Sequence, residues 1–362
     1  MKGLTHCVGT VHRGERQGSF LYLKNKPNVT ILYGVHSKKL LIDPATRICS
    51  GVSVISEALD HEISVYASRE VILSQGVFET PKLLMLSGVS PAAELAKHGI
   101  TPTVESPHVR QHLLDHPIVP FVLEVKDGYS LDNHILRPGP LNDKALSTYQ
   151  KDKTGPASSE FLELAKAANG GLDPFGPAGQ PHFELDFVGL FSTAFQWHYP
   201  MPEKGSHITV IVDLLRPLSE GEVTLNSSNA LVQPNINLNF FGNNLDILAM
   251  REGVRWPYDL FTKGAGFKYI VVSEYPWKMP LDSDDDMSRA VLDRSQTGFH
   301  PCGTARLSKS IHQGVVDSKL RVHGVRNLRI ADASVIPIIP DCRIQNSVYL
   351  IGEKASYTFG GS

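Results

Sequence analysis

Two changes in the spacing of apolar residues constrain the fold more than any other feature of this chain. Residues 28–73 hold short runs rich in Val and Ile, which indicate strands, and residues 79–100 hold two short helical patterns. Residues 116–285 show widely separated strand patterns, which suit an antiparallel sheet. Residues 296–362 return to a mixture of strand and helix, so we predict that residues 116–285 form a domain of their own.

The individual elements follow from the same periodicities. Strands are predicted at 28–34, 36–43, 49–55, 63–73, 116–125, 182–190, 206–215 and 221–227, and a strand pair around a tight turn within 320–337. Helices are predicted at 79–89, 91–100, 158–168 and 345–359, and over 245–263 with an interruption near Pro257.

Composition excludes several classes of protein. The chain has 362 residues, and its formal net charge of -2 gives no basic face of the kind that binds nucleic acid. No apolar run approaches the ~20 residues of a membrane helix, and the N-terminal residues lack the apolar region of a secretory signal. We therefore expect no nucleic-acid or membrane partner and a cytoplasmic location as the chain stands; secretion is the alternative if a signal has been lost.

The four cysteines are Cys7, Cys49, Cys302 and Cys342. They lie far apart in the sequence and form no C-x-x-C pair, so we predict neither a zinc site nor a redox dithiol. We interpret them as reduced thiols of an intracellular protein.

A candidate base lies in the segment GFHPCGTAR, where His300 precedes a proline and a glycine turn. Such a turn can present an imidazole ring to a cleft, and a histidine can take a proton from an alcohol and return it. The alternative is that one of fifteen histidines happens to precede a turn.

A candidate ligand site lies in ADASVIPIIPDCRIQ. Asp332 ends an apolar strand, and ligands of α/β sheets bind at the carboxyl ends of strands. Pro337 and Pro340 then favour an extended loop into a helix at about Gln345, whose first N–H groups would attract an anion or an electron-rich ring. The alternative is that Asp332 caps a turn.

These segments together resemble the glucose–methanol–choline (GMC) family of FAD oxidoreductases. The resemblance rests on HPCGTARLS, GVVDSKLRVHGVRNLRIADASVIP and SVYLIGEK near the C-terminus, and on QGVFETPKLLMLSGVS, HLLDHP and GEVTLNSSNALVQPNINLNFF further upstream. It covers nearly the whole chain, with the motifs in the order of the family.

The resemblance implies an α/β (α+β) fold with two parts. An incomplete FAD-binding domain of GMC type would be formed by residues 1–115 and 296–362, and an antiparallel-sheet substrate domain carrying helices by residues 116–295. It also implies an FAD-dependent oxidase or dehydrogenase that acts on the CH–OH group of a small-molecule alcohol, with secondary-metabolite biosynthesis as one expected setting.

The resemblance also implies roles for individual residues. His300 matches the base that accepts the hydroxyl proton while a hydride leaves for flavin N5. Arg343 occupies a position where the family usually has His or Asn, and an arginine there could stabilise an alkoxide or bind a substrate carboxylate. The expected cofactor-binding residues are Ser37, Asp332, Ala333, Ile344 and Gln345.

Three departures from the family pattern qualify these expectations. The G-x-G-x-x-G motif that grips the FAD pyrophosphate does not occur, so we expect a truncated family member that holds FAD weakly. Arg110 and His112 replace the family's glycine and asparagine, and Ser90 replaces a glycine. An uncovered sheet edge would favour self-association. The alternatives are a cofactor-free catalyst in which His300 and Arg343 promote a proton transfer, or an inactive remnant.

Overall fold

The computed structural model describes residues 5–6, 11–12, 15–56, 61–152, 162–163, 181–195 and 199–360. The chain divides into two compact units. The first unit comprises Met1–Thr30, Pro117–Arg216 and Asn244–Gln296, and the second comprises Ile31–His116, Pro217–Asn243 and Thr297–Ser362. The predicted domain boundaries differ from these units at residues 1–30 and 217–243 and by one residue each at 116 and 296. As domains they stay a prediction.

Helices and strands alternate along the chain, which confirms the mixed fold class. The α-helices are α1 (Gly76–Leu86), α2 (Ala92–Ala96), α3 (Asp132–Ile135), α4 (Pro140–Asp152), α5 (Asn244–Lys263), α6 (Asp284–Arg294) and α7 (Gln345–Gly360). The strands are β1 (Thr5–His6), β2 (Val11–His12), β3 (Glu15–Arg16), β4 (Val35–Ile42), β5 (Cys49–Ser56), β6 (His61–Tyr66), β7 (Val71–Leu73), β8 (Gln111–Leu113), β9 (Pro117–Val125), β10 (Leu162–Glu163), β11 (Phe183–Val188), β12 (Ser206–Leu214), β13 (Gly221–Thr224), β14 (Asn235–Asn237), β15 (Val271–Tyr275), β16 (Gln296–Thr297) and β17 (Leu328–Ile330).

The first unit is built on an antiparallel sheet with the strand order β1-β10-β11-β12-β9-β15. Its central strand β12 is buried along its whole length and pairs with β9 from Ser206 opposite Val125 to Asp213 opposite Ile118. This burial explains why both strands read as nearly continuous apolar runs rather than alternating ones. The antiparallel arrangement predicted for the middle of the chain is therefore observed.

Two predictions for this unit are wrong. Helix α5 continues through Pro257, although an interior proline costs a helix about 3 kcal/mol. Met250, Val254 and Phe261 of the same helix are fully buried, so packing outweighs that cost. The helix predicted at 158–168 is contradicted at Leu162–Glu163, which form β10 between β1 and β11; the rest of that segment lies outside the described residues. Pairing with neighbouring strands overrides local helix propensity there.

The second unit contains three small sheets and one large core. Strands β4, β5 and β6 form an antiparallel sheet, β14-β13-β8 form another, and β17 pairs in parallel with β7. Helix α1 contributes Leu83, Leu84 and Met85 to the core, where each is almost completely buried. The parallel pair joins Val71–Leu73 to Leu328–Ile330, two segments far apart in the sequence.

Two predictions for this unit also need correction. Residues 28–34 form no strand, and Tyr33 within them is 83% exposed. An apolar run becomes a strand only when a neighbour pairs with it. Within 320–337, only Leu328–Ile330 is a strand, joined to the preceding segment by a single antiparallel bridge between Arg321 and Arg329.

Two further observations concern the described residues alone. None of their helices combines the length and the apolar character needed to cross a bilayer. Among them, Cys49 and Cys302 are buried thiols and Cys342 is an exposed thiol, whereas Cys7 lies outside the described residues.

Candidate active site

His300 lies in a tight turn of the second unit, at the end of the segment Thr297–His300. The turn places Phe299 in the left-handed region, with φ of 61°. Shortly after it, Gly303 has φ of 98°, and a Cβ atom there would lie 2.2 Å from the carbonyl oxygen of His112. Only glycine fits that close approach, so the glycine of HPCGT shapes the backbone that follows the candidate base.

The imidazole of His300 contacts a second imidazole. Nδ1 of His300 lies 3.0 Å from Nδ1 of His116, and the two ring planes meet nearly edge to face at 76°. His116 is fully buried, whereas His300 is partly exposed. The contact occupies Nδ1 of His300, so Nε2 is the nitrogen that can meet a substrate.

The segment before β9 fixes the position of this histidine pair. Leu114 and Cys302 exchange two backbone hydrogen bonds of 2.9 and 2.8 Å. One carboxylate oxygen of Asp115 accepts the backbone N–H of His300 at 3.0 Å, and the other accepts the hydroxyl of Thr297. Sequence reasoning assigned no chemistry to Asp115 or His116, although the motif HLLDHP that contains them had been noted.

The charges around His300 favour its neutral form. Burial, the neighbouring His116 ring and the Arg343 guanidinium together lower the pKa of His300 from 6.5 to about 3. The positive charge of Arg343 therefore acts on the imidazole of His300, and the role predicted for the two residues stays a prediction. A neutral imidazole at neutral pH is ready to accept a proton.

Helix α7 begins at Gln345, two residues after Arg343. Ile344 is buried in a cluster with Leu114, Cys302, Ile336 and Ile339. Its side chain therefore packs in the core, and only its backbone is left for a ligand. Gln345 opens the helix and is exposed. The first N–H groups of a helix lack partners within it and attract negative charge.

Asp332 forms the capping hydrogen bonds that the sequence analysis gave as the alternative to a ligand site. Its carboxylate accepts the N–H of Gly76 at 3.0 Å, the hydroxyl of Thr80 at 2.7 Å and the N–H of Ser334 at 2.8 Å. It thereby joins the start of α1 to the turn after β17. Ala333, which follows it, accepts the N–H of Ile336 at 3.2 Å through its carbonyl oxygen.

Ser37 lies near the same junction. Its hydroxyl accepts a hydrogen bond of 2.8 Å from the side chain of Gln75, the residue just before Gly76. The predicted cofactor-binding residues Ser37, Asp332 and Ala333 therefore meet around the start of α1, whereas Ile344 and Gln345 lie by Arg343. Their roles in cofactor binding stay predictions.

Arg110 and His112, which depart from the family pattern, each contact acidic side chains. Arg110 forms ion pairs with Glu222 and, at 4.0 Å, with Glu94. His112 contacts Glu220 at 2.6 Å. Burial lowers the pKa of His112. Both departures sit in the left-handed region, with φ of 78° and 62°.

Comparison with known proteins identifies the class. Two models of the family described as GMC oxidoreductase match residues 2–118 and 217–352. The chain is 31% identical over 361 residues to oxygen-dependent choline dehydrogenase of Brucella anthropi, covering 96% of this chain and 61% of that protein. It is 30% identical over 336 residues to choline oxidase of Arthrobacter globiformis, covering 91% and 55%. The chain belongs to the GMC oxidoreductase family.

A solved structure provides a closer likeness. Formate oxidase of Aspergillus oryzae RIB40, from a study of FAD modification, is 60% identical with a TM-score of 0.95. The match covers 99% of this chain and 65% of that one. The chain thus spans less than two thirds of the length of these relatives.

Proposed function

We propose that this chain carries the base and a substrate-binding cation of an FAD-dependent oxidoreductase of the GMC family, and that formate is its substrate. The observation that carries the proposal is a partly exposed His300 whose Nδ1 lies 3.0 Å from Nδ1 of His116 and whose pKa is lowered by burial, by His116 and by the charge of Arg343. The likeness to formate oxidase at 60% identity supports the choice of substrate.

The residues near Arg343 fit the ring end of FAD. A guanidinium and the N-terminus of a 16-residue helix are both positive, and an electron-rich flavin ring would be stabilised beside them. The N-terminus of α1 offers less, because Asp332 already accepts the N–H of Gly76. Arg343 with the backbone of Ile344 and Gln345 would therefore hold the ring, and the pyrophosphate would draw on other donors. When bound, FAD supplies the acceptor for a hydride.

The proposed role of His300 as a base requires one particular tautomer of its imidazole. For Nε2 of His300 to accept a proton, its Nδ1 must carry the hydrogen and donate it to Nδ1 of His116. His300 would take the O–H proton of formic acid and leave a carboxylate that the paired donors of Arg343 can hold; loss of the C–H hydride from that carboxylate would give carbon dioxide. With an alcohol, the same two losses from one CH–OH group would give a carbonyl compound.

Arg343 distinguishes formate from an alcohol. A guanidinium presents parallel N–H donors that match both oxygens of a carboxylate, whereas a hydroxyl uses only one of them. The relatives named for choline or alcohol are about 30% identical to this chain, half the identity of formate oxidase. We therefore place formate before alcohols as the substrate.

The test is to purify the 362-residue chain, add FAD, remove unbound FAD and record the visible spectrum. Formate, choline and methanol are then added anaerobically in separate cuvettes. We expect part of the flavin absorbance to be retained, because the pyrophosphate motif is missing, and formate to bleach it faster than either alcohol. The variant His300→Gln should retain the absorbance and lose the bleaching.

Two results would overturn the proposal. A folded but colourless protein would show that this polypeptide does not use FAD, and screens for cofactor-free proton transfer would then follow. Bleaching by an alcohol but not by formate would leave the family activity intact and refute the substrate.

A further inference from the structure

The candidate base is held by a carboxylate that does not touch its imidazole. Asp115 is 3% exposed and follows Leu114, which is locked to Cys302 by two backbone hydrogen bonds. The Asp115 carboxylate is therefore buried beside the turn that ends in His300.

Both oxygens of this carboxylate bind the same short turn. Oδ1 accepts the backbone N–H of His300 at 3.0 Å, and Oδ2 accepts the hydroxyl of Thr297. The Thr297 hydroxyl in turn accepts the N–H of Phe299 at 2.9 Å. One side chain thus ties the beginning and the end of a four-residue turn whose third residue is in the left-handed region.

The turn also sets the contact between the two imidazoles. Asp115 is adjacent in sequence to His116, whose carbonyl oxygen accepts the N–H of Gly298 at 2.8 Å. The carboxylate that binds the turn and the ring that contacts His300 therefore come from two consecutive residues, Asp115 and His116. A non-glycine residue in the left-handed region costs on the order of 1 kcal/mol or more, so the turn needs such support.

We propose that Asp115 is the positioning residue of the base: its carboxylate holds the Thr297–His300 turn so that Nδ1 of His300 stays against His116 and Nε2 stays available. The inference rests on the proposed function of His300. Burial raises the pKa of Asp115 to about 6, so the group is ionised at neutral pH and both oxygens accept hydrogen bonds.

The first test reads the histidine pair directly and needs no cofactor. The full chain is labelled with nitrogen-15 histidine, and the coupling across the Nδ1–Nδ1 hydrogen bond is measured by NMR. We expect the coupling in the natural sequence and its loss in Asp115→Asn. Thr297→Val, which keeps the side-chain shape and removes the hydroxyl, should weaken it and serves if Asp115→Asn fails to fold.

A matched control comes from the first unit. Asp132 is also fully buried and accepts the backbone N–H groups of Phe191 and His207 at 2.7 and 2.9 Å. Asp132→Asn should lower stability and leave the coupling between His116 and His300 unchanged. Loss of the coupling in this control as well would mean that the signal reports general destabilisation, which would overturn the proposal.

The second test measures catalysis with FAD and formate. We expect kcat of Asp115→Asn to fall about a hundredfold with little change in KM, because a small displacement of a base lowers the rate more than binding. An intact coupling and an unchanged kcat in a destabilised Asp115→Asn would show a merely structural role and refute the positioning. If the natural chain does not oxidise formate but its coupling responds as expected, the proposed function fails and the positioning stands.

Discussion

Asp332 and Gly76 are 256 residues apart in sequence and are joined by a hydrogen bond of 3.0 Å between the Asp332 carboxylate and the Gly76 N–H. The same carboxylate accepts the Thr80 hydroxyl and the Ser334 N–H. A buried carboxylate with three donors satisfies the start of α1, where the first N–H groups otherwise lack partners. Asp332 therefore links an early and a late segment of the second unit through hydrogen bonds.

Replacement of Asp332 by Asn should lower the free energy of unfolding by about 2 kcal/mol. The amide keeps one accepting oxygen and turns an NH2 group toward donors that need an acceptor. Urea unfolding followed by circular dichroism measures the change.

Asp317→Asn is the control for Asp332, because Asp317 binds mainly Lys319 and Arg321 of its own loop. Asp317→Asn should lower the free energy of unfolding clearly less than Asp332→Asn does. An Asp332→Asn protein of natural stability that no longer retains FAD would contradict the structural role and favour direct cofactor contact.

The limits of sequence reasoning are clearest around His300. The proline and the glycine turn that follow it marked it as a candidate, and Arg343 was placed beside it by resemblance. Asp115 and His116 escaped notice because their role depends on a contact across 184 or more residues, and no local pattern records which segment lies beside which. The capping role of Asp332 could be stated only as an alternative for the same reason.

In the fold, too, the predictions hold where the sequence signal is local and fail where tertiary contacts decide the outcome. The apolar runs of β9 and β12 predicted strands correctly, because full burial leaves a continuous signal in the sequence. Residues 28–34 carry a similar run and form no strand, and Pro257 interrupts no helix. In both places the outcome depends on tertiary neighbours, which local periodicity does not report.

The histidine at position 300 should make stability depend on pH. Its pKa is about 3 in the folded chain and 6.5 when unfolded, so between these values the unfolded state binds a proton that the folded state does not. The contribution of His300 to the stability of the folded chain is therefore complete above pH 6.5 and is lost as the pH falls toward 3. Asp115 acts oppositely: its pKa rises from 3.8 to about 6 on folding, so its contribution falls as the pH rises through that interval.

Between about pH 4 and pH 6, the opposite effects of His300 and Asp115 on the pH dependence of the unfolding free energy nearly cancel. The variant His300→Gln should remove the histidine contribution and leave that of Asp115. We expect the difference in unfolding free energy between the natural chain and His300→Gln to grow with pH from 4.5 to 6.5, by at most about 1.4 kcal/mol per pH unit. Urea unfolding at several pH values measures it, with His61→Gln at an exposed position of β6 as control. A difference that stays constant with pH would show that His300 is not the group responsible.

The described cysteines should differ sharply in reactivity. Burial and the nearby Asp115 carboxylate raise the pKa of the Cys302 thiol to about 12, and burial also raises that of Cys49. Cys342 is exposed. Because the thiolate is the reactive form, a thiol reagent at pH 8 should modify Cys342 within minutes and leave the two buried cysteines unmodified until the chain unfolds. Peptide mass mapping identifies the modified sites, and rapid modification of Cys302 would contradict the packing around His300.

Arg343 should act on both the base and the substrate, and two variants separate these effects. Arg343→Ala removes the positive charge, so the pKa of His300 should rise, and NMR titration of the labelled ring measures it. Arg343→Lys keeps the charge and loses the parallel donors, so the pKa should change little while KM for formate rises about tenfold or more. With methanol as substrate the lysine variant should keep its KM, because a hydroxyl does not use the paired donors. An equal rise of KM for both substrates in Arg343→Lys would show that the guanidinium shapes the site without recognising a carboxylate.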